Sequence, residues 1–313
     1  MNDETRLAVL IDAENISPKY IQVIFDEVSN YGVSTYRRIY GDWTSTRNNR
    51  WKEVLLDNSI TPIQQYSYTE GKNSSDSAMI IDAMDILYTL SVDGYVLVSS
   101  DSDFTRLASR LRESGMTVIG MGESKTPNAF ISACNTFKYL DILFASLANA
   151  EEEEENHEDS KTAKSKSGRS AASAQEHSAA SSKSEEKAAA ESGSTAPAKG
   201  ATVLTRKEWK KDHAQATTAK RNGKREVPRP QTTILSVRKA LRSIVRENSD
   251  EEDWISLANL GNQLSKRFPD FDVRNYSHQK LVTFIESFHE FEVAHRPVSE
   301  FGNKQLFVRL RKK

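Results

Sequence analysis

Leu7-Ala8-Val9-Leu10-Ile11 runs without a polar residue into Asp12-Ala13-Glu14-Asn15, and Tyr95-Val96-Leu97-Val98 runs the same way into Ser99-Ser100-Asp101-Ser102-Asp103-Phe104. A strand with one wet face alternates apolar and polar residues. A strand covered on both faces is apolar throughout, as in a parallel sheet between layers of helix. Both runs stop on carboxylates where a helix should begin. Ligands of open α/β sheets bind beyond the carboxyl ends of the strands. Asp12, Asp101 and Asp103 are therefore expected to meet in one acidic pocket, distant in the chain and close in space.

The pattern extends outward from these two runs. Ile21, Ile24, Phe25 and Val28 mark a helix face, and residues 35–40 form a strand rich in aromatic and β-branched side chains. A helix around Trp51, Val54 and Leu55 leads to a short strand near residues 60–63. Met79, Ile80, Ala83, Met84 and Leu87 recur at helical spacing, as do Phe104, Leu107, Ala108 and Leu111. Residues 116–121 supply another strand and 128–134 a short helix. Repeated βα units from residue 6 to about 145 predict an α/β fold, a parallel sheet sandwiched by helices.

Composition shifts sharply along the 313 residues. Residues 1–148 carry 13 Lys and Arg against 19 Asp and Glu, residues 149–205 carry 7 against 11, and residues 206–313 carry 23 against 14. An acidic front and a basic back suggest chemistry first and polyanion binding later. From Ala150 to about Thr205 the chain is Ala, Ser, Glu and Lys, which cannot bury enough surface to offset chain entropy. Residues 149–231 are thus expected to be a disordered linker. About 55 such residues span roughly 40 Å, enough to bring a ligand from the tail to the front domain without a fixed interface. The linker ends in a basic arm from Arg206 to Arg229, with Trp209 among its cations, a composition suited to single-stranded nucleic acid. Residues 232–313 read as three amphipathic helices followed by strands at 291–294 and 305–310, a small α+β winged-helix domain. The single cysteine, Cys134, excludes a disulfide framework and a Cys-based zinc site. No apolar stretch approaches the ~20 residues of a bilayer span, and the acidic start, Met1-Asn2-Asp3-Glu4, is not that of a signal peptide. A cytoplasmic protein is expected.

A third acid joins the pocket from Gly71-Lys72-Asn73-Ser74-Ser75-Asp76, where Asp76 falls in the first turn of the long middle helix. Three or four neighbouring carboxylates without arginines repel by several kcal/mol at an effective dielectric near 20. They need raised pKa values or a divalent cation. Oxygen ligands alone suit Mg²⁺ or Mn²⁺, the equipment for phosphodiester hydrolysis. Asp12, Asp76, Asp101 and Asp103 are the expected metal ligands. Asn15 could orient the attacking water, Ser99 and Ser100 could donate to phosphate or to Asp101, and Lys72 could offset charge at the phosphate; ordinary turn chemistry fits each of them as well. Tyr40-Gly41-Asp42-Trp43 ends a strand on the same edge, so Trp43 could stack a base while Arg47 and Arg50 hold phosphates; a Trp packed under its loop fits as well. Asp82 and Asp85, six and nine residues after Asp76, turn away from it on a helix and are expected at the surface. Gly120-Met121-Gly122 lacks the third glycine of a dinucleotide loop. A haloacid-type phosphatase would need Asp where Glu14 stands.

At these motifs residues 6–145 resemble an NYN domain, a PIN-like nuclease fold, of the bacterial type. Residues 232–313 are similar to an OST-HTH, or LOTUS, domain through Val273-Arg274-Asn275-Tyr276-Ser277-His278-Gln279-Lys280-Leu281. The first resemblance implies a metal-dependent endoribonuclease with Asp12, Asp76, Asp101 and Asp103 as its acidic site and Asn15 beside it. The second implies binding of RNA, through Arg274, His278 and Lys280, or of an RNA-handling partner protein. Asp76 is followed by Ser77 where some NYN relatives carry a second acid. A regulatory RNA-binding protein with weak or no catalysis therefore stays open, as does a homo-oligomer.

Overall fold

The structure, a computed structural model, describes residues 4–66, 74–148, 229–297 and 304–311. The expected linker up to residue 228, most of the basic arm, and Lys72 lie outside the described residues, while the last linker residue, Gln231, is held by a hydrogen bond from its N–H to the Tyr139 hydroxyl.

The front domain is built on six strands: β1 (Arg6–Asp12), β2 (Val33–Gly41), β3 (Thr61–Gln64), β4 (Gly94–Val98), β5 (Thr117–Gly122) and β6 (Thr136–Tyr139). All are parallel, in the order β3-β2-β1-β4-β5-β6. The chain winds one way from β1 to β3 and the other way from β4 to β6. The reversal lies between β1 and β4, which run side by side from Leu7 opposite Gly94 to Ile11 opposite Val98. That is the switch point where such sheets place their ligands.

Helices α1 (Ile21–Val28), α2 (Asn49–Leu55), α3 (Ser74–Thr89), α4 (Thr105–Glu113), α5 (Asn128–Ala133) and α6 (residues 140–148) cover the sheet. The unbroken apolar runs follow from this double cover. Ala8, Leu10, Tyr95 and Leu97 enter one core with Met79, Ala83 and Leu107. Their neighbours Leu7, Val9, Ile11, Val96 and Val98 enter the core on the opposite face, with Val23, Ile24 and Trp51. Gly120 and Gly122 are packing residues: a Cβ on Gly122 would stand 2.6 Å from the Ser99 carbonyl oxygen, and one on Gly120 2.6 Å from Cys134 Sγ.

Two elements depart from expectation. Strand β6 carries no apolar run, because Lys138 sits inside it and finds ion-pair partners rather than solvent. Asp82 is not a surface residue. A position turned away from Asp76 still faces the sheet, and Asp82 accepts hydrogen bonds from Arg38 and from the Tyr40 hydroxyl on β2.

The C-terminal domain comprises α7 (Ile234–Asn248), β7 (Ile255–Ser256), α8 (Leu257–Arg267), α9 (Leu281–Glu286), β8 (Phe291–Pro297) and β9 (Lys304–Leu310). Strands β7, β9 and β8 form a small antiparallel sheet. Thr233 and Ser256 cap α7 and α8 by accepting from the backbone N–H groups of Ser236 and Asn259. Val237, Leu241, Ile244, Leu260, Leu264, Phe284, Ile285 and Val308 fill its core.

This domain docks on the open edge of the large sheet, so a fixed interface exists where the sequence suggested none was needed. The Phe137 N–H donates to the Pro269 carbonyl at 2.7 Å, occupying an edge group that would otherwise invite another strand. Lys138 Nζ donates to Asp272 Oδ2 at 2.6 Å and lies 3.1 Å from Glu27 Oε1. Arg274 Nη2 completes the cluster, 2.7 Å from Asp272 Oδ2 and 2.9 Å from Glu27 Oε2. The side chains of Lys138, Asp272 and Glu27 are only 10%, 8% and 6% exposed. Beside them the Tyr139 hydroxyl donates to Asp270 at 3.0 Å and accepts from the Gln231 N–H at 3.0 Å. Burial alone would push the Lys138 ammonium down, but Asp272, Tyr31 and Glu27 outweigh it and hold it above its ordinary value. Burial likewise opposes ionisation of Asp272, and Arg274 and Lys138 win, holding that carboxyl well below the usual range.

Candidate active site

Two strand ends and the start of a helix deliver the acids. Asp12 is the last residue of β1, Asp101 and Asp103 follow β4, and Asp76 lies in the first turn of α3. Asp76, Asp101 and Asp103 each place a carboxylate oxygen within 4.8 Å of the others. Asp101 caps the 3-10 turn Ser102–Phe104, its Oδ1 accepting from the Asp103 N–H at 2.9 Å. The turn thus fixes both acids as one unit.

Asp12 takes a different place from the one expected. It is 1% exposed, and all of its acceptor positions are in use. Oδ1 accepts from the N–H groups of Glu14 and Asn15 at 3.0 and 3.2 Å, and Oδ2 from Asn15 Nδ2 at 2.8 Å and Ser99 Oγ at 2.7 Å. Ser99 Oγ in turn accepts from the Asp101 N–H at 3.0 Å. Asp12 thus holds four donors on a carboxylate with about four lone-pair sites, and it is the first of the charges that act on Asp76. Asp12 ties the β1 loop to the Asp101 loop and lies outside the cluster of three. Asn15 donates from its side-chain amide to Asp12. Burial raises the Asp12 pKa, against the pull of its hydrogen bonds.

The electrostatics concentrate on Asp76, whose pKa is pushed up to about 7, by burial first and then by Asp12, Asp101, Asp103 and Glu14. Glu14 escaped the sequence reading as a site residue. It accepts from Ser75 Oγ at 2.7 Å, joining the β1 loop to the start of α3. Its position two residues past Asp12 was the available signal.

The expected RNA contacts divide. Ser100 is buried, and its hydroxyl accepts from the Glu123 N–H at 2.9 Å. Trp43 is half-buried, with its indole N–H on the Ile63 carbonyl at 2.9 Å and its ring against the core. It packs in part under its loop. Arg47 and Arg50 are exposed beyond the end of β2. On the C-terminal domain Arg274 is engaged by Asp272 and Glu27. The His278 ring packs edge-on against Phe284 at 5.4 Å, and Lys280 stands exposed at the N-cap of α9.

The donor set can be tested against a cation. Three close carboxylates, one still protonated near neutrality, supply only oxygen, the ligand of Mg²⁺ and Mn²⁺. The charges acting most strongly on Asp76 are all negative. These residues fit a hard divalent ion. Removing one support should weaken the site without unmaking it: Ser99→Ala frees one Asp12 oxygen and the Asp101 N–H, and is expected to cost about 10–100-fold in metal affinity or activity. Calorimetric metal titration and cleavage rates measure this, and an unchanged variant would remove Asp12 and Ser99 from the supporting role.

The NYN domain family model matches residues 6–141, and the OST-HTH/LOTUS domain model matches residues 233–301. No curated protein matches the chain. Among solved structures, a Vibrio parahaemolyticus protein of unknown function is similar at 18% identity and a TM-score of 0.38, over 44% of this chain and 93% of that one. NYN domains are nuclease-type and OST-HTH/LOTUS domains bind RNA, which gives the chain a nuclease and RNA-binding role in outline. No helix among the described residues is long and apolar enough to cross a membrane.

Proposed function

For a chain built of an NYN domain and an OST-HTH/LOTUS domain, we propose that the front domain is a Mg²⁺- or Mn²⁺-dependent endoribonuclease and that the C-terminal domain helps to hold the RNA. The observation that carries this reading is the cluster of Asp76, Asp101 and Asp103 at the switch point of the sheet. Asp76, Asp101 and Asp103 would hold the cation. When bound, the cation supplies Lewis acidity to the attacking water and to the phosphoryl oxygens. Asp12, with Ser99 and Asn15, keeps the two loops in register, and Glu14 with Ser75 anchors the start of α3. Arg47 and Arg50 stand on the same edge of the sheet to draw in the phosphate backbone.

The direct test is cleavage of a mixed panel of single-stranded and structured RNAs with Mn²⁺, Mg²⁺ or EDTA. Internal cutting that requires the metal is expected. Cutting that persists in EDTA would rule out the mechanism, and binding without cutting would leave the protein as an RNA-binding regulator.

A pH dependence follows from Asp76. Its pKa rises from 3.8 to about 7 on folding, so the folded state binds the proton more tightly. Stability without metal should fall as pH rises between about 4 and 7, where the folded chain keeps a proton that the unfolded chain has lost. A cation competes with that proton and relieves the repulsion of the ionised form. The increase in Tm on adding Mn²⁺ should therefore be larger at pH 8 than at pH 5.5. Equal increases in scanning calorimetry would contradict this.

A further inference from the structure

Where the two domains meet they leave a cleft of about 700 Å³. Arg112, at the end of α4, lines one wall with Ser132 and Asn135, and Asn262, Lys266 and Arg267 of α8 line the other. Neither a carboxylate nor an aromatic ring is among its lining residues. Its walls are held in place, since Pro269 lines it as well and accepts the Phe137 N–H.

Several arginines of the C-terminal domain are already paired. Arg238 and Arg242 hold Glu290, Arg296 holds Asp250 and Glu252, and Arg309 holds Glu292. The cleft differs. Lys266 is exposed and has no ion pair among the described residues. Arg112 is exposed and uses Nη1 on the carbonyls of Ser132 and Ala133, at 3.3 and 3.0 Å. Arg267 keeps a solvent-exposed pair with Glu247.

The cleft is separate from the acidic site. It lies at the amino ends of β5 and β6, whereas Asp101 and Asp103 follow the carboxyl end of β4. Strands of this length put those edges roughly 15–20 Å apart.

We propose that this cleft binds the phosphate backbone of single-stranded RNA, so that the RNA is gripped on one edge of the sheet and cut on the other. Cations from two walls with Ser and Asn donors between them match phosphate oxygens. Contacts to phosphate carry no sequence information, so the cleft takes any base. The proposal rests on the RNA reading above but does not require cleavage.

The test is fluorescence anisotropy with the full chain carrying Asp101→Asn, in EDTA, on labelled 20-nucleotide oligouridylate and a mixed-sequence RNA across a range of salt. Arg112→Gln and Lys266→Gln should each weaken binding several-fold at low salt, on both RNAs alike. Each should lower the slope of log K against log salt by about 0.7. Lys239→Gln, exposed on α7 and outside the cleft, should leave the slope unchanged. Unchanged binding in both cleft variants, or an equal loss in Lys239→Gln, would overturn the cleft as the RNA site. No RNA binding by the parent protein would overturn the RNA reading and the cleft together.

Discussion

Asp101→Asn should lower metal-dependent RNA cleavage by about three orders of magnitude while leaving the fold intact. The loss follows from replacing one of three clustered carboxylates with a neutral amide, which gives up several kcal/mol of Lewis-acid stabilisation, and each 1.36 kcal/mol is tenfold in rate. The fold should survive because the amide oxygen can still accept from the Asp103 N–H, as Asp101 Oδ1 does at 2.9 Å. Ser99 also keeps its hold on the residue 101 N–H. Cleavage rates with Mn²⁺ and a parallel thermal melt check both halves. A loss of activity with a collapsed Tm would indicate damage to the loop, and an unimpaired rate would remove Asp101 from the chemistry.

Lys138→Met should destabilise domain docking by about 3–5 kcal/mol, the usual cost of removing one partner from a buried ion pair. Two carboxylates, Glu27 and Asp272, depend on that ammonium, and both are nearly sealed from water. Arg274 remains, but one guanidinium then faces two buried acids. Urea unfolding should show the loss, and small-angle scattering should show an increased radius of gyration. Adding Glu27→Gln should restore part of the stability, because it removes the charge that Lys138 no longer meets. A change below about 1 kcal/mol would mean that the interface does not rely on the cluster. Asp272 sets the acid limit of docking. A carboxyl held below its ordinary value stabilises the folded form at every pH above that value, and the contribution is lost only as pH falls from there through the depressed value. Docking should therefore persist under mildly acidic conditions.

The sheet was legible because the double helix cover writes itself into the sequence as unbroken apolar runs, and Leu7–Ile11 and Tyr95–Val98 are such runs. The acidic pocket was legible for a related reason: the acids end those same strands. What each acid does was not. The role of Asp12 depends on Ser99, 87 residues away, and no spacing rule reveals that pairing. Strand β6 was missed since its middle residue is a lysine, normally a mark of solvent, whose partners come from α1 and from the other domain. Asp82 was misread because angular position on a helix separates it from Asp76 without saying whether β2 or water lies on its side. The cation count of the tail pointed to polyanion binding without showing that some of that charge, Arg274 included, is spent on internal ion pairs.

The most direct test of the account is the uptake of Mn²⁺ by the metal-free protein, followed by the loss of the free-ion electron paramagnetic resonance signal. Saturable uptake is predicted for the wild type, with Asp76→Asn, Asp101→Asn and Asp103→Asn each abolishing or strongly weakening it. Uptake that survives all three substitutions, or no uptake by the wild type, would contradict the assignment of this cluster as the metal centre.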